Sequence, residues 1–146
     1  MISLRLIDQS NWEECIHLKL KKEQQSFIAS NLYSIAEVQF LSDFAVKAIY
    51  CEEILVGFSM YGKAPEDGNY WVYRFMIDEK YQGLGYGKRA MQLIINDVQT
   101  KNDRTDILML GYDPENIHAG KFYENLGFQS VGLAPWGEIL AKYSFS

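Results

Sequence analysis

Apolar residues alternate with polar ones in some stretches of this chain and recur every three or four residues in others. Ser3 to Ile7 alternates and predicts a first strand, stopped by Asp8-Gln9-Ser10. Trp12, Ile16 and Leu20 share one helical face, so a helix is predicted from Trp12 to about Lys22, capped by Ser10 or Asn11. A second helical piece is predicted from Ile35 to about Leu41, after the polar Ser30-Asn31 break. Phe44, Val46, Ala48 and Tyr50 alternate, and so do Ile54, Val56, Phe58 and Met60. With Cys51-Glu52-Glu53 between them, these runs predict an antiparallel hairpin. Pro65 to Asn69 reads as a loop and Tyr70 to Ile77 as the next strand.

The period then changes. Ala90, Met91, Ile94, Ile95 and Val98 form an apolar helical stripe over Lys88 to Val98. Ile107 to Leu110 is continuously apolar, as expected of a strand covered on both faces. Strand, helix, strand in that order implies a parallel pair joined by a right-handed crossover. Pro114 stops the strand, and a helix from about Ile117 to Leu126 closes on Gly127 as an αL cap. Phe128 to Ser146 predicts two more strands around Pro135-Trp136-Gly137. Without a repeat, a linker or a low-complexity segment, residues 1–146 read as one mixed α/β domain, long enough to bury a core.

Between the Tyr70 to Ile77 strand and the following helix lies Tyr81-Gln82-Gly83-Leu84-Gly85-Tyr86-Gly87-Lys88. Glycines at alternate positions leave backbone N–H groups bare where the helix dipole adds positive charge, which suits a phosphate or pyrophosphate. A Walker loop is excluded, because Lys88 is followed by Arg89 and no glycine stands at the required offset. A dinucleotide fingerprint is excluded as well. The spacing is G-x-G-x-G, and Asp103 and Asp106 precede the next strand instead of ending it. A structural turn without a ligand is the plain alternative.

The neighbouring residues decide between the two. Gln82-x-x-Gly85-x-Gly87 resembles the acetyl-coenzyme A signature of the GNAT family of N-acetyltransferases, Q/R-x-x-G-x-G/A. Asn116, Ala119, Tyr123, Gly127 and Phe128 resemble the later motif of the same family, N-x-x-A-x-x-x-Y-x-x-x-G-F, in the right order and at the right distance. The resemblance covers roughly residues 44 to 145. It implies a GNAT fold of the mixed α/β (α+β) class: a central, mostly antiparallel sheet with a splayed parallel strand pair, flanked by helices. It also implies acetyl-CoA as co-substrate, no metal, and transfer of the acetyl group to a primary amine.

Site roles follow from the same resemblance. The backbone of Phe75, Met76 and Ile77 would bind pantetheine and thioester. Gln82, Gly83, Leu84, Gly85, Tyr86, Gly87 and Lys88 would surround the pyrophosphate. Asn116 would hydrogen-bond the pantetheine arm, Ala119 would leave room for it, and Tyr123 would supply a proton to the departing thiolate. Duller readings stand beside these. Asn116 caps a helix, Lys88 is solvated, Phe75 and Ile77 are core residues on one strand face, and Tyr123 packs on the core side in register with Ala119 and Leu126.

The general base stays open. Related polyamine enzymes carry a carboxylate just before the position matching Arg74, where this chain has Tyr73. A phenol with a pKa of about 10 is a poor base at neutral pH. Glu23, Glu37 and Asp78 are the carboxylate candidates, and a water relay or direct binding of the neutral amine are the other routes. Three softer matches resemble small bacterial spermine/spermidine acetyltransferases: Glu23 to Asn31, Leu55 to Gly62 and Arg74 to Gly83. They imply a small polyamine acceptor, with acetylation of a peptide amine or non-catalytic acyl-CoA sensing as alternatives. A distal ammonium near a carboxylate gains roughly 1 to 4 kcal/mol at about 4 Å, so acidic groups are expected at the far end of the substrate. Phe27, Tyr33 or Trp136 would guide its aliphatic part.

Composition adds little more. A net charge of −5 disfavours nucleic acid as partner and suits a cationic substrate. Cys15 and Cys51 stand apart without a CxxC partner, so reduced core-type thiols are expected and no metal cluster. The N-terminus does not read as a signal peptide and no run is long enough to span a membrane, so a cytoplasmic protein without a membrane partner is expected. A homodimer is expected from the resemblance alone.

Overall fold

The alternating segments pair into one sheet, and the helical segments cover both of its faces. In the computed structural model, which describes residues 1–145, the strands are β1 (Ile2–Leu6), β2 (Phe44–Cys51), β3 (Ile54–Lys63), β4 (Tyr70–Ile77), β5 (Ile107–Tyr112), β6 (Gln129–Leu133) and β7 (Ile139–Ser144). The helices are α1 (Trp12–Ile16), α2 (Asn31–Glu37), α3 (Tyr86–Gln99) and α4 (Ile117–Asn125). Short 3₁₀ turns occupy Lys22–Phe27, Val38–Phe40 and Glu79–Tyr81. The sheet order is β1-β2-β3-β4-β5-β7-β6, and every neighbouring pair is antiparallel except β4 with β5. Ser146, the end of the last predicted strand, lies outside the described residues.

The stripe read on α3 is the face it buries. Ala90, Met91, Ile94, Ile95 and Val98 are all buried, and Met91, Ile94, Ile95 and Val98 pack with Tyr70, Val72, Leu108 and Leu110 of the sheet. The opposite face holds Phe44, Ala48, Phe58, Met60 and Met76 under α1 and α2, with Cys15 of α1 fully buried among them. Burial pushes the Cys15 thiol up to about 12, so it stays protonated and inert. β3 lies between the two layers, and both sets of its side chains are buried from Leu55 to Gly62. β6 is the contrary case. It forms one margin of the sheet, all five of its residues are exposed, and its ladder to β7 slips between Ser130 and Gly132.

Two helical expectations need correction. The first helix ends at Ile16, well short of Lys22. The Lys19 amide donates to Asp78 Oδ2 at 2.9 Å, and the Lys19 carbonyl accepts from the Glu79 amide at 2.7 Å. Those bonds tie the segment to the end of β4, and tertiary pairing overrides the apolar period. The second helix begins at Asn31 instead of Ile35. Ser30-Asn31, read as a break, is its start: Ser30 Oγ accepts from the Tyr33 amide at 3.0 Å, a regular N-cap. Asn31 is buried, and its Nδ2 donates to the Cys15 carbonyl at 2.9 Å, joining the two helices.

Candidate active site

The parallel pair is joined for only part of its length. Tyr70, Trp71 and Val72 of β4 face Leu108, Met109 and Leu110 of β5, and there the ladder stops. β4 runs on to Ile77 and β5 to Tyr112 with no pairing between them. A bulge helps to part them. Met60 of β3 faces Arg74 while the adjacent Tyr61 faces Val72, so Tyr73 is the extra residue of β4. In consequence Tyr73 packs on the α1–α2 face and its neighbour Arg74 reaches α2 on that same side. Phe75 and Ile77 share the opposite face, as expected from their alternation. The gap opens into a cleft of about 1160 Å³. Every site residue read from the sequence lines it except Leu84 and Tyr86. Leu84 points into solvent, and Tyr86 packs beside Ile2 and Ile49.

At one end of the cleft is the glycine turn. Gly83 and Gly85 adopt φ of 80° and 84°, which a residue with a Cβ takes up only under strain. Gly85 is the N-cap of α3 and no side chain caps the helix, so the first-turn amides are left for a ligand. Gly87 has no such φ, and a Cβ there would meet Phe122 of α4 at 3.4 Å, an ordinary van der Waals contact, so neither strain nor packing demands glycine at this position. Gln82 Nε2 donates to the Ile77 carbonyl and to Gln24 Oε1, both at 2.9 Å, so its side chain ties the turn to β4 and to the Lys22–Phe27 segment. Lys88 is exposed on the cleft wall.

α4 closes the other wall. Asn116 Oδ1 accepts from the Ala119 amide at 3.2 Å and so caps the helix, the duller of its two expected roles; the amide Nδ2 makes no hydrogen bond to the described residues. Phe122 lies 6.0 Å from Phe75 across the strand face. Tyr123, one residue further, packs against Tyr112, Phe122 and Phe128 while still lining the cleft. Burial first, then the negative charge of Glu138 and the neighbouring Tyr112, raises its phenol above the ordinary range, so it holds its proton at neutral pH.

The base candidates sort themselves by geometry. Asp78 is buried and accepts from the Lys19 and Lys80 amides, which makes it a structural tie. Glu37 is paired with Arg74 Nη2 at 2.9 Å and does not line the cleft. Burial, then the charges of Glu66, Asp67 and Glu37, raises the Tyr73 phenol, which makes it a still weaker base. Glu23 alone of the three named carboxylates faces the cleft. Of the candidate aromatic guides, Phe27 lines it, whereas Tyr33 lies exposed under the Arg74 guanidinium and Trp136 stands outside on the β6–β7 turn. Glu138 also lines the cleft from that same turn, and no motif in the sequence points to it. Among the described residues no group of three His, Cys, Asp or Glu side chains is placed to hold a metal ion, and no helix is long and apolar enough to cross a membrane.

Comparison with known proteins identifies the family and the fold. Residues 5–128 match the profile of the Acetyltransferase (GNAT) family. Over 137 residues, 90% of each chain, the sequence is 31% identical to the spermine/spermidine N(1)-acetyltransferase of Bacillus subtilis (strain 168). Among solved structures, aminoglycoside acetyltransferase AAC(6')-Ib in complex with coenzyme A superimposes with a TM-score of 0.83 at 13% identity, over 99% of this chain and 95% of that one. The ribosomal-protein-S18-alanine N-acetyltransferase from Escherichia coli gives 0.74 at 16% identity, over 100% and 95%. At such identities the likeness is one of fold, and the acceptors named for these two proteins differ.

Proposed function

Because this chain belongs to the GNAT acetyltransferase family, we propose that it moves the acetyl group of acetyl-CoA to a primary amine of a small polyamine such as spermidine or spermine. The observation that carries the acetyl-CoA half of this reading is the interrupted β4–β5 ladder, opening beside an uncapped helix N-terminus. Bare amides of the α3 first turn, with Lys88 alongside, receive the pyrophosphate. Unpaired backbone groups between Tyr73 and Ile77 take the pantetheine amides in place of the missing strand partners. Asn116 has its Nδ2 left over for the same arm while its Oδ1 caps α4. Acetyl-CoA itself supplies the activated thioester.

Tyr123 keeps its proton until the thioester breaks and then gives it to the departing sulfur. The raised pKa fits a donor that must be protonated at neutral pH. The polyamine half rests on the 31% identical relative and on the charge of the walls. Glu23, Asp113, Glu115 and Glu138 line the cleft; of its basic residues Lys21, Arg74 and Lys88, Arg74 is paired with Glu37 and Lys88 stands beside the glycine turn. Such walls favour an acceptor with more than one ammonium group, with Phe27 beside its methylene stretch.

The test is thiol release from acetyl-CoA with spermidine, spermine, lysine-containing peptides and no amine. Turnover with the polyamines well above the peptides is expected, with a polyamine KM that rises with added salt while that of a neutral-tailed amine barely moves. Turnover on peptides alone would reassign the acceptor, and binding of acetyl-CoA with no turnover on any amine would overturn the enzymatic reading.

A further inference from the structure

We infer that Glu138 is the proton acceptor for the attacking nitrogen, held in place by Trp136. This rests on the acetyl-transfer reading above and fills the role that Tyr73 cannot.

The position is built, not incidental. Glu138 follows a hydrogen-bonded turn in which the Gly137 amide donates to the Ala134 carbonyl at 2.9 Å and the Ala134 amide donates to the Glu138 carbonyl at 2.7 Å. Ala134 is buried and Gly137 sits at φ 99°, so the turn is anchored at one end and sharply bent at the other. From there the side chain crosses β5 and lies against Gly111, the first β5 residue beyond the last β4–β5 pair. A Cβ on Gly111 would come within 2.9 Å of Glu138 Oε1 and 3.3 Å of its Cδ, so the carboxylate fills the space that glycine leaves. Trp136 Nε1 donates to Oε1 at 2.7 Å, and Oε2 has no protein partner among the described residues. One oxygen is held and the other is free, at the mouth of the gap where the thioester would lie. The influence of Glu138 on the Tyr123 phenol places the two groups in one electrostatic neighbourhood.

Chemistry requires a base of this kind at a particular moment. Carboxylic acids are about six pK units stronger than alkylammonium ions, so a carboxylate does not strip a free ammonium. The neutral amine attacks the thioester carbon. As the N–C bond forms, the nitrogen becomes positive and its proton far more acidic, and that proton passes to Glu138 Oε2 and on to solvent. The C–S bond breaks, the sulfur takes the Tyr123 proton, and Tyr123 recovers one from solvent. The sum is amine plus thioester giving amide plus thiol, with no oxidant or further reactant.

The experiment uses the full chain and the best amine found for the wild type. Glu138→Gln keeps the shape and the Trp136 hydrogen bond but removes basicity. Its kcat is expected to fall about 100-fold, with the acetyl-CoA KM within about threefold and an unchanged melting temperature. Glu138→Ala should lose turnover equally and regain part of it when formate is added as an external base, an effect that a merely structural role would not give. Undiminished kcat in Glu138→Gln, or no formate rescue of Glu138→Ala, overturns the assignment while leaving acetyl transfer intact. A wild type inert on every amine overturns the acetyl-transfer reading and this inference with it.

Discussion

The two edges of β5 have opposite fates. Toward β7 all six of its residues are paired, from Ile107 with Ser144 to Tyr112 with Ile139. Toward β4 only Leu108, Met109 and Leu110 are paired. The same short strand is thus a finished piece of sheet on one side and an unfinished one on the other. Backbone groups left without partners in a folded protein are costly unless water or a ligand meets them. The paired edge therefore gives rigidity, and the open edge leaves a cleft whose geometry that rigidity fixes.

Variants can break this contrast at several points. The largest effect is expected from Tyr123→Phe, which removes the proposed proton donor without disturbing either edge. Its kcat should fall about 100-fold or more, and the acetyl-CoA KM should change little. Thiol-release kinetics decide, and undiminished turnover would deny Tyr123 its role. Next comes Gly85→Val, which forces a β-branched residue to φ near 84° and screens the α3 amides. The strain is on the order of 1 to 3 kcal/mol, and the acetyl-CoA KM should rise about tenfold or more with a smaller change in kcat.

Smaller effects belong to the brace behind the open edge. Glu37→Gln leaves the Arg74 guanidinium without its ion partner, while Arg74 Nε is already buried without a hydrogen bond. Both groups are partly solvated, so a loss of about 1 kcal/mol is expected, a drop of a few degrees on thermal melting. An unchanged melting curve would mean that the pair braces nothing. The last expectation is an absence of effect. A phenol with a raised pKa stays protonated as pH rises past neutrality, so a step that uses the protonated form should not weaken up to about pH 9. A kcat profile with an alkaline midpoint below that value, lost in Tyr123→Phe, would contradict the assigned proton.

Much of this was legible in the sequence because it is local. Strand alternation, the α3 stripe, the glycine turn and the Gly127 cap (φ 105°) each depend on residues a few positions apart. What escaped depends on distant partners. The bulge at Tyr73 carries no glycine or proline and arises from register with β3. The early end of α1 follows from Asp78 and Glu79, far along the chain, capturing Lys19. Glu37 is a free carboxylate in the sequence alone, whereas in the fold Arg74, 37 residues away, holds it. Glu138 lies in the cleft against Gly111, a residue of another strand. No window along the chain contains both.

The slipped ladder of β6 bears on how the protein behaves in a crowded solution. A straight, fully exposed outer strand is a template onto which other chains add, and such templating seeds insoluble deposits. Here the slip between Ser130 and Gly132 breaks the regular spacing of donors and acceptors, and Gly132, at φ 133°, twists the margin out of plane. A foreign strand would find too few aligned contacts to hold. That one irregularity makes an unprotected rim, with Val131 and Leu133 exposed on it, a poor template for another chain.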